Sequence, residues 1–312
     1  MSRQVLTVTM NPALDVNSKA GEVVTDQKVR CEKPVYDPGG GGINVARVLK
    51  RLKIGADAKC VVGGVTGDLL KSLLKQEKIN FLPVEIEQAT RESISIIDNK
   101  TDKQYRFVFP GPQLEKNIWK RILSDVEDTI EDYEFVVASG SLPPGVPDDF
   151  YSRLAEIVLK NDKKYILDTS GDALYEGIKS GASYIKPNEE EFDELMNRSE
   201  AENRDELIDQ LSDNGVENII HTLGKDGTML YNREGKQKFT PPEIEVNSSI
   251  GAGDSFVGGL VAGLTKDLKI EDAVYFGVAS AASTLQSPGT SLCDSDEVKK
   301  IHAKLSGNEI SL

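Results

Sequence analysis

Along most of this chain, short β-branched runs alternate with segments whose apolar residues recur at helical spacing, and that alternation most constrains the fold. Gln4–Met10, Ala58–Val62, Phe135–Ala138, Tyr165–Leu167, Tyr184–Ile185 and Asn218–Leu223 read as strands. Among them lie helical stretches at Gly42–Leu52, Asp68–Gln76, Lys116–Ile130, Asp148–Leu159 and Arg204–Asp213, the first with Ile43, Ala46, Leu49 and Leu52 on one stripe. Three more, Asp254–Thr265, Ile270–Leu285 and Asp294–Leu305, close the chain before a tail, Ser306–Leu312, that is expected to fray. Strands separated by helices join in parallel, and a parallel sheet needs cover on both faces. The expectation is a three-layer α/β/α protein with a largely parallel central sheet, its 312 residues forming one domain.

Two stretches break the rhythm. Asp15–Asp37 has no helical period, and Ser93–Phe109 reads as a hairpin around the polar turn Asp98–Lys103. Both flank the glycines at 39–42, so they are read as a small β-sheet lid formed by about residues 15–38 and 91–110.

The chemistry concentrates at two glycine clusters. Gly251-Ala252-Gly253-Asp254 opens a helical segment. Glycines let the backbone approach a ligand, and a helix start offers unpaired N–H groups and a positive dipole end. That is a seat for an anion, with the Asp254 carboxylate placed as a base beside it. Gly39-Gly40-Gly41-Gly42-Ile43-Asn44 forms a second cradle, with Asn44 able to donate to and accept from hydroxyl groups. An anion seat and a base side by side suit phosphoryl transfer to a hydroxyl.

Other residues cluster at strand ends, where open α/β sheets bind ligands. Asp15, in Asn11-Pro12-Ala13-Leu14-Asp15, either holds sugar hydroxyls or caps a turn. In Lys186-Pro187-Asn188-Glu189-Glu190-Glu191, Asn188 and Glu191 either hold a hydrated Mg²⁺ or cap the following helix. Thr222-Leu223-Gly224-Lys225-Asp226-Gly227 passes along a nucleotide or is a plain turn, and Ser139–Gly145 closes the pocket. Lys28, Arg30, Arg91 and Arg106 are phosphate-ligand candidates, Arg106 standing out between Tyr105 and Phe107.

Several classes are disfavoured. A net charge of −14 argues against nucleic acid as a partner. No apolar run approaches the ~18 residues of a membrane helix, and Met1–Val5 lacks a signal-peptide core. Cys31, Cys60 and Cys293 are scattered, as reduced thiols of a cytoplasmic protein would be. With only His221 and His302, histidine metal sites and a Ser-His-Asp triad are poorly supported. There is no GxxxxGK[ST] and no GxGxxG after the first strand, which counts against a P-loop enzyme and a nicotinamide-dependent dehydrogenase.

Taken in chain order, Asn11–Asp15, Gly39–Asn44, Tyr105–Gly111, Ser139–Gly145, Lys186–Glu191, Thr222–Gly227 and Gly251–Asp254 resemble the motifs of the ribokinase-like (PfkB-type) sugar kinases. Within that family the run Pro38–Arg47 is most similar to the minor-type 6-phosphofructokinases; tagatose-6-phosphate kinases and 1-phosphofructokinases usually carry lysine where Gly41 stands. The resemblance implies ATP-dependent phosphorylation of fructose 6-phosphate at its 1-hydroxyl, with tagatose 6-phosphate or fructose 1-phosphate as the rival substrates and a non-catalytic phosphosugar sensor as the rival class. Asp254 would be the base, with Gly251, Ala252 and Gly253 forming the anion hole. Asp15, Gly39, Gly40, Gly41, Asn44, Arg91, Arg106 and Ser141 would hold the phosphosugar. Lys28 would reach its phosphate from the lid of a partner in a homodimer. Lys186, Asn188, Thr222, Gly224 and Gly227 would serve ATP, and Glu191 with Asn188 its Mg²⁺ through water. The loop Leu285–Ser291 departs from relatives that sometimes bind K⁺ there, with a proline at 288 and serine in place of an expected arginine, which counts against K⁺ but leaves it an open alternative. Val24 stands where an aromatic is expected beside a second ATP, so ATP inhibition is not carried over either.

Overall fold

The computed structural model describes residues 4–287 and 291–307. The tail from Asn308 onward and Pro288–Thr290 of the loop read for K⁺ lie outside the described residues. The chain runs β1 (Val5–Thr9), β2 (Ala13–Ala20), β3 (Val35–Gly39), α1 (Gly41–Arg51), β4 (Ala56–Gly63), α2 (Gly64–Gln76), β5 (Asn80–Ile86), β6 (Arg91–Asp98) and β7 (Lys103–Val108). It continues through α3 (Lys116–Thr129), β8 (Phe135–Ser139), α4 (Phe150–Lys160), β9 (Lys164–Asp168), α5 (Gly171–Gly177), β10 (Ala182–Ile185), α6 (Glu189–Arg198), α7 (Arg204–Asp213) and β11 (Val216–Thr222). It closes with β12 (Thr228–Asn232), β13 (Gly235–Phe239), α8 (Ala252–Leu264), α9 (Ile270–Leu285) and α10 (Ser295–Ser306).

Nine strands form one sheet in the order β13-β12-β11-β10-β9-β8-β1-β4-β5. All pairs from β11 to β5 are parallel; only the β11–β12 and β12–β13 pairs are antiparallel. Alternate residues of each strand enter different cores, as the two-residue side-chain period requires. Val136, Leu167 and Ile219 pack with helices α3 to α7, whereas Val5, Phe135, Val137, Ile166 and Ile220 pack with α1, α8, α9 and α10. The expected α/β/α layering therefore holds. On the second face α1 and α8 lie very close, since a Cβ on Gly258 would come within 2.4 Å of Val48.

The expected accessory sheet is also present, in the order β3-β2-β6-β7. Its registers place Tyr36, Val16, Ile94 and Phe107 in one row across the sheet. The opposite face carries Asp37 and Asp15 in one row and Arg106 in the next. Tyr36, Tyr105 and Phe107 are exposed.

Several elements differ from expectation. The helix expected from Asp68 begins at Gly64, and the one expected from Asp148 begins at Phe150. β5 was not anticipated, because Pro83 and polar residues at this edge strand blur the alternation. Nor was α5, whose seven residues are too few to display a period.

Candidate active site

The C-terminal ends of the parallel strands and the first turns of α1, α6 and α8 converge on one side of the large sheet. Asp254 lies in the first turn of α8, whose N-cap, Gly251, is left-handed with φ of 73°. A side chain there would be strained, and its Cβ would meet Leu292 at 2.7 Å. Ser255 N–H closes the first helical bond to the Gly251 carbonyl at 2.8 Å. The N–H groups of Gly253 and Asp254 precede that bond, where a helix has no internal acceptors, while that of Ala252 lies 3.5 Å from the Ser249 carbonyl.

Asp254 is tied to the second glycine cluster. Asn44, in the first turn of α1, donates its Nδ2 to Asp254 Oδ2 at 2.9 Å. The four glycines leading into α1 are sites of close approach, not a hinge. A Cβ would meet Asp15 Oδ2 at 2.3 Å from Gly39, Thr9 Cγ2 at 2.8 Å from Gly40, Ser139 Oγ at 2.2 Å from Gly41 and Thr9 Oγ1 at 2.5 Å from Gly42.

Burial lifts the Asp254 carboxyl to about 7, helped by the negative charge of Asp168; Asn44 and Lys186 pull the other way. Asp15 is pushed up to about 6 by burial and by Asp37, against Arg47, Arg91 and Arg106. Lys186 is 7% exposed and pairs with Asp168 at 3.1 Å. Burial opposes its charge, yet Asp168, Glu191 and Asp254 hold the ammonium above its usual range. Asp168 is a site residue the sequence reading missed. It ends β9 and also accepts from Ser139 Oγ at 3.3 Å. The strand-end rule that singled out Asp15 and Lys186 applies equally to it.

Asn188 and Glu191 form a reciprocal capping box at the start of α6. Asn188 Oδ1 accepts from Glu191 N–H at 2.9 Å, and Glu191 Oε2 accepts from Asn188 N–H at 2.9 Å. The capping alternative is thus realised, leaving Glu191 Oε1 outside the box. Burial raises the Glu191 carboxyl. Among the described residues no group of three or more His, Cys, Asp or Glu is placed to hold a metal. One carboxylate with nearby amide oxygen suffices for an ion that keeps its water, and Glu191 with Asn188 fits that requirement.

Asn11 Nδ2 donates to Ser141 Oγ at 3.1 Å, and Arg91 donates to the Asn11 carbonyl at 3.2 Å and to that of Phe109 at 3.2 Å. Arg91 and Ser141 are therefore linked through Asn11 at the base of the small sheet, and the charges of Arg91 and Arg106 act on Asp15 beside them. Lys28 is exposed on the β2–β3 connection, and among the described residues no hydrogen bond or ion pair ties it to this cluster. Thr222 ends β11 beside α6, its N–H donating to the Pro187 carbonyl at 3.0 Å. Gly224 and Gly227 shape the turn into β12, with φ of 55° and 105°. A Cβ on Gly224 would meet nothing within 4 Å, so that side of the turn is open.

Comparison with known proteins agrees with this arrangement. The family model for pfkB family carbohydrate kinases matches residues 8–297. The chain is 38% identical over 300 residues to an ATP-dependent 6-phosphofructokinase isozyme 2 from Mycobacterium tuberculosis, covering 95% of this chain and 88% of that one. It is 34% identical over 307 residues to the protein of the same name from Escherichia coli, covering 97% and 99%. A 1-phosphofructokinase from Bacillus subtilis is 30% identical over 282 residues, covering 90% and 92%. The crystal structure of phosphofructokinase-2 from Escherichia coli in complex with potassium superposes with a TM-score of 0.90 at 32% identity, covering 98% and 100%.

Proposed function

The chain belongs to the pfkB family of carbohydrate kinases, and from that premise we propose that it transfers the γ-phosphoryl group of ATP to the 1-hydroxyl of fructose 6-phosphate. The observation that carries the reading is the Asn44–Asp254 hydrogen bond, which sets a base between the acceptor cradle of α1 and the anion seat of α8. Asp254 takes the hydroxyl proton as the oxygen attacks in line. A carboxylate near its reference value of ~3.9 would be a weak base for an alcohol. One lifted to about 7 is matched to neutral pH. The N–H groups at Gly251, Ala252 and Gly253 receive the charge that develops on the transferred group.

Asp15, Asn44, Arg91, Arg106 and Ser141 hold the phosphosugar, with the backbone of Gly39, Gly40 and Gly41 beneath it. Lys186, Asn188, Thr222, Gly224 and Gly227 flank the nucleotide. Glu191, with Asn188, would hold hydrated Mg²⁺, which when bound neutralises phosphate charge. The 312 residues form one catalytic unit whose small sheet is the lid. Its apolar row of Tyr36, Val16, Ile94 and Phe107, exposed at Tyr36 and Phe107, is suited to a second lid, giving a homodimer in which the partner brings its Lys28 toward the sugar phosphate. The three cysteines are unpaired, in keeping with a cytoplasmic enzyme.

The Bacillus subtilis relative supports a second reading, phosphorylation of fructose 1-phosphate. A coupled ADP-release assay on fructose 6-phosphate, tagatose 6-phosphate and fructose 1-phosphate decides between them. Preference for fructose 6-phosphate upholds the proposal, and higher kcat/KM on either competitor overturns it.

A further inference from the structure

Arg47 is 4% exposed, and none of the roles above uses it. It lies one turn beyond Asn44 on α1, and its guanidinium is engaged on every side. Nε and Nη2 donate to Glu77, at the end of α2, at 2.8 and 2.6 Å. Nη1 donates to the carbonyl of Pro38, in lid strand β3, at 3.0 Å and to Asn44 Oδ1 at 3.1 Å. Nη2 also stands 3.7 Å from Asp37 in the same strand.

The chemistry of arginine decides how Asn44 points. A guanidinium can only donate hydrogen bonds, so Asn44 turns its oxygen toward Arg47. Its NH₂ is then left for Asp254, 2.9 Å away. Were the amide reversed, its oxygen would face the Asp254 carboxylate, and two acceptors at that distance repel. The charged groups that face Asp254 are Asp168 at the end of β9, Lys186 just beyond β10 and Asp15 in β2. Arg47 makes no contact with Asp254 itself.

We propose that Arg47 is a positioning residue for phosphoryl transfer: by gripping the Asn44 amide oxygen it fixes the hydrogen bond to Asp254, and through Pro38 it anchors the lid strand to the same arrangement. The pairing with Glu77 holds the guanidinium in register, because a forked arginine–carboxylate pair fixes direction as well as distance. The inference rests on the kinase reading given above.

The test is a double-mutant cycle on kcat and KM for the preferred phosphosugar, using Arg47→Met, Asn44→Ala and the pair. Arg47→Met is expected to lower kcat about 10- to 100-fold, as misplacement of a reacting group does, with a smaller change in KM. The double variant is expected to be no slower than Asn44→Ala alone, and Arg47→Lys to recover part of kcat. Multiplicative losses, or a loss confined to KM, overturn the proposal. If Arg47→Met does not fold, Arg47→Lys carries the same cycle. If the wild-type protein turns over no phosphosugar, the kinase reading falls, and the Asn44 side-chain amide signals in NMR judge the positioning alone. Signals protected from solvent exchange in the wild type and exposed in Arg47→Lys support it; equal protection in both overturns it.

Discussion

Asn44 Nδ2 and Asp254 Oδ2, 210 positions apart in the chain, meet at 2.9 Å and join the first turns of two helices. The proposed base therefore belongs to both cradles. Asp254→Ala is expected to fold and to lose at least about a hundredfold in kcat. In the wild type, with Asp254 lifted to about 7, kcat/KM is expected to fall as pH drops below neutrality. A pH–rate profile checks both; an acid limb near 4 would contradict the assignment.

The same elevation bears on stability. A carboxyl whose folded pKa is raised favours the folded state fully below its unfolded value, and that contribution is lost as pH rises through the folded value. For Asp254 the window runs from its ordinary value of 3.8 to about 7. Asp254→Asn is therefore expected to melt higher than wild type at pH 8, with the gap narrowing toward pH 4. Thermal melts across that range give the answer.

Gly41 is closed to side chains by its neighbours, since a Cβ would fall 2.2 Å from Ser139 Oγ and 3.0 Å from Gly140 N. Gly41→Lys alone is expected to destabilise by about 1–3 kcal/mol and to weaken turnover of all three phosphosugars without transferring preference to fructose 1-phosphate. Kinetics on the panel, beside a denaturation curve, measure this. A clean switch of substrate would show that the backbone can yield here.

The lid makes a separate prediction. Phe107 is 52% exposed on the edge strand β7, at the end of an apolar row. Phe107→Glu places a charge in that row and is expected to shift the protein to monomers and to raise KM for the phosphosugar. Sedimentation velocity at several concentrations tests it; an unchanged dimer, or a wild-type monomer, removes the lid from the interface.

His221 gives a pH signature away from the site. Its ring is fully buried against Phe192, with centroids 4.2 Å apart, and neither nitrogen has a hydrogen-bond partner among the described residues. Burial lowers its pKa to about 4, with Arg204 adding to the shift. The depressed folded value means that stability is intact above the ordinary value of 6.5 and is lost as pH falls toward 4. His221→Phe is expected to flatten that acid-side decline, which urea titrations at pH 7 and pH 5 would reveal.

The layered sheet could be read from the chain because its helices and strands have different hydrophobic periods, long enough to count. β5 and β13 escaped because edge strands are polar on their exposed side, as in Gly235–Phe239. The glycine cradles and Asp254 were apparent because their spacing relative to a helix start carries meaning. Asp168 was not, being one carboxylate after a short strand with no motif around it. The Arg47–Glu77 pair was invisible for another reason: its partners sit on different helices, and only their packing brings them together. For Asn188 and Glu191 the sequence left two readings open, and the capping geometry is what the backbone adopts.

Gly258, one turn after Asp254, abuts Val48 with no room for a methyl group. The span between the two cradles is thus gauged by the interior of the protein, as jaws are set by a pivot, and not by loops that can drift. Such a device wears badly in one respect and well in another. A small enlargement deep in the α1–α8 contact would spread the jaws and silence the enzyme while every groove residue stayed in place. Insertions in the outer turns, by contrast, would leave the setting untouched.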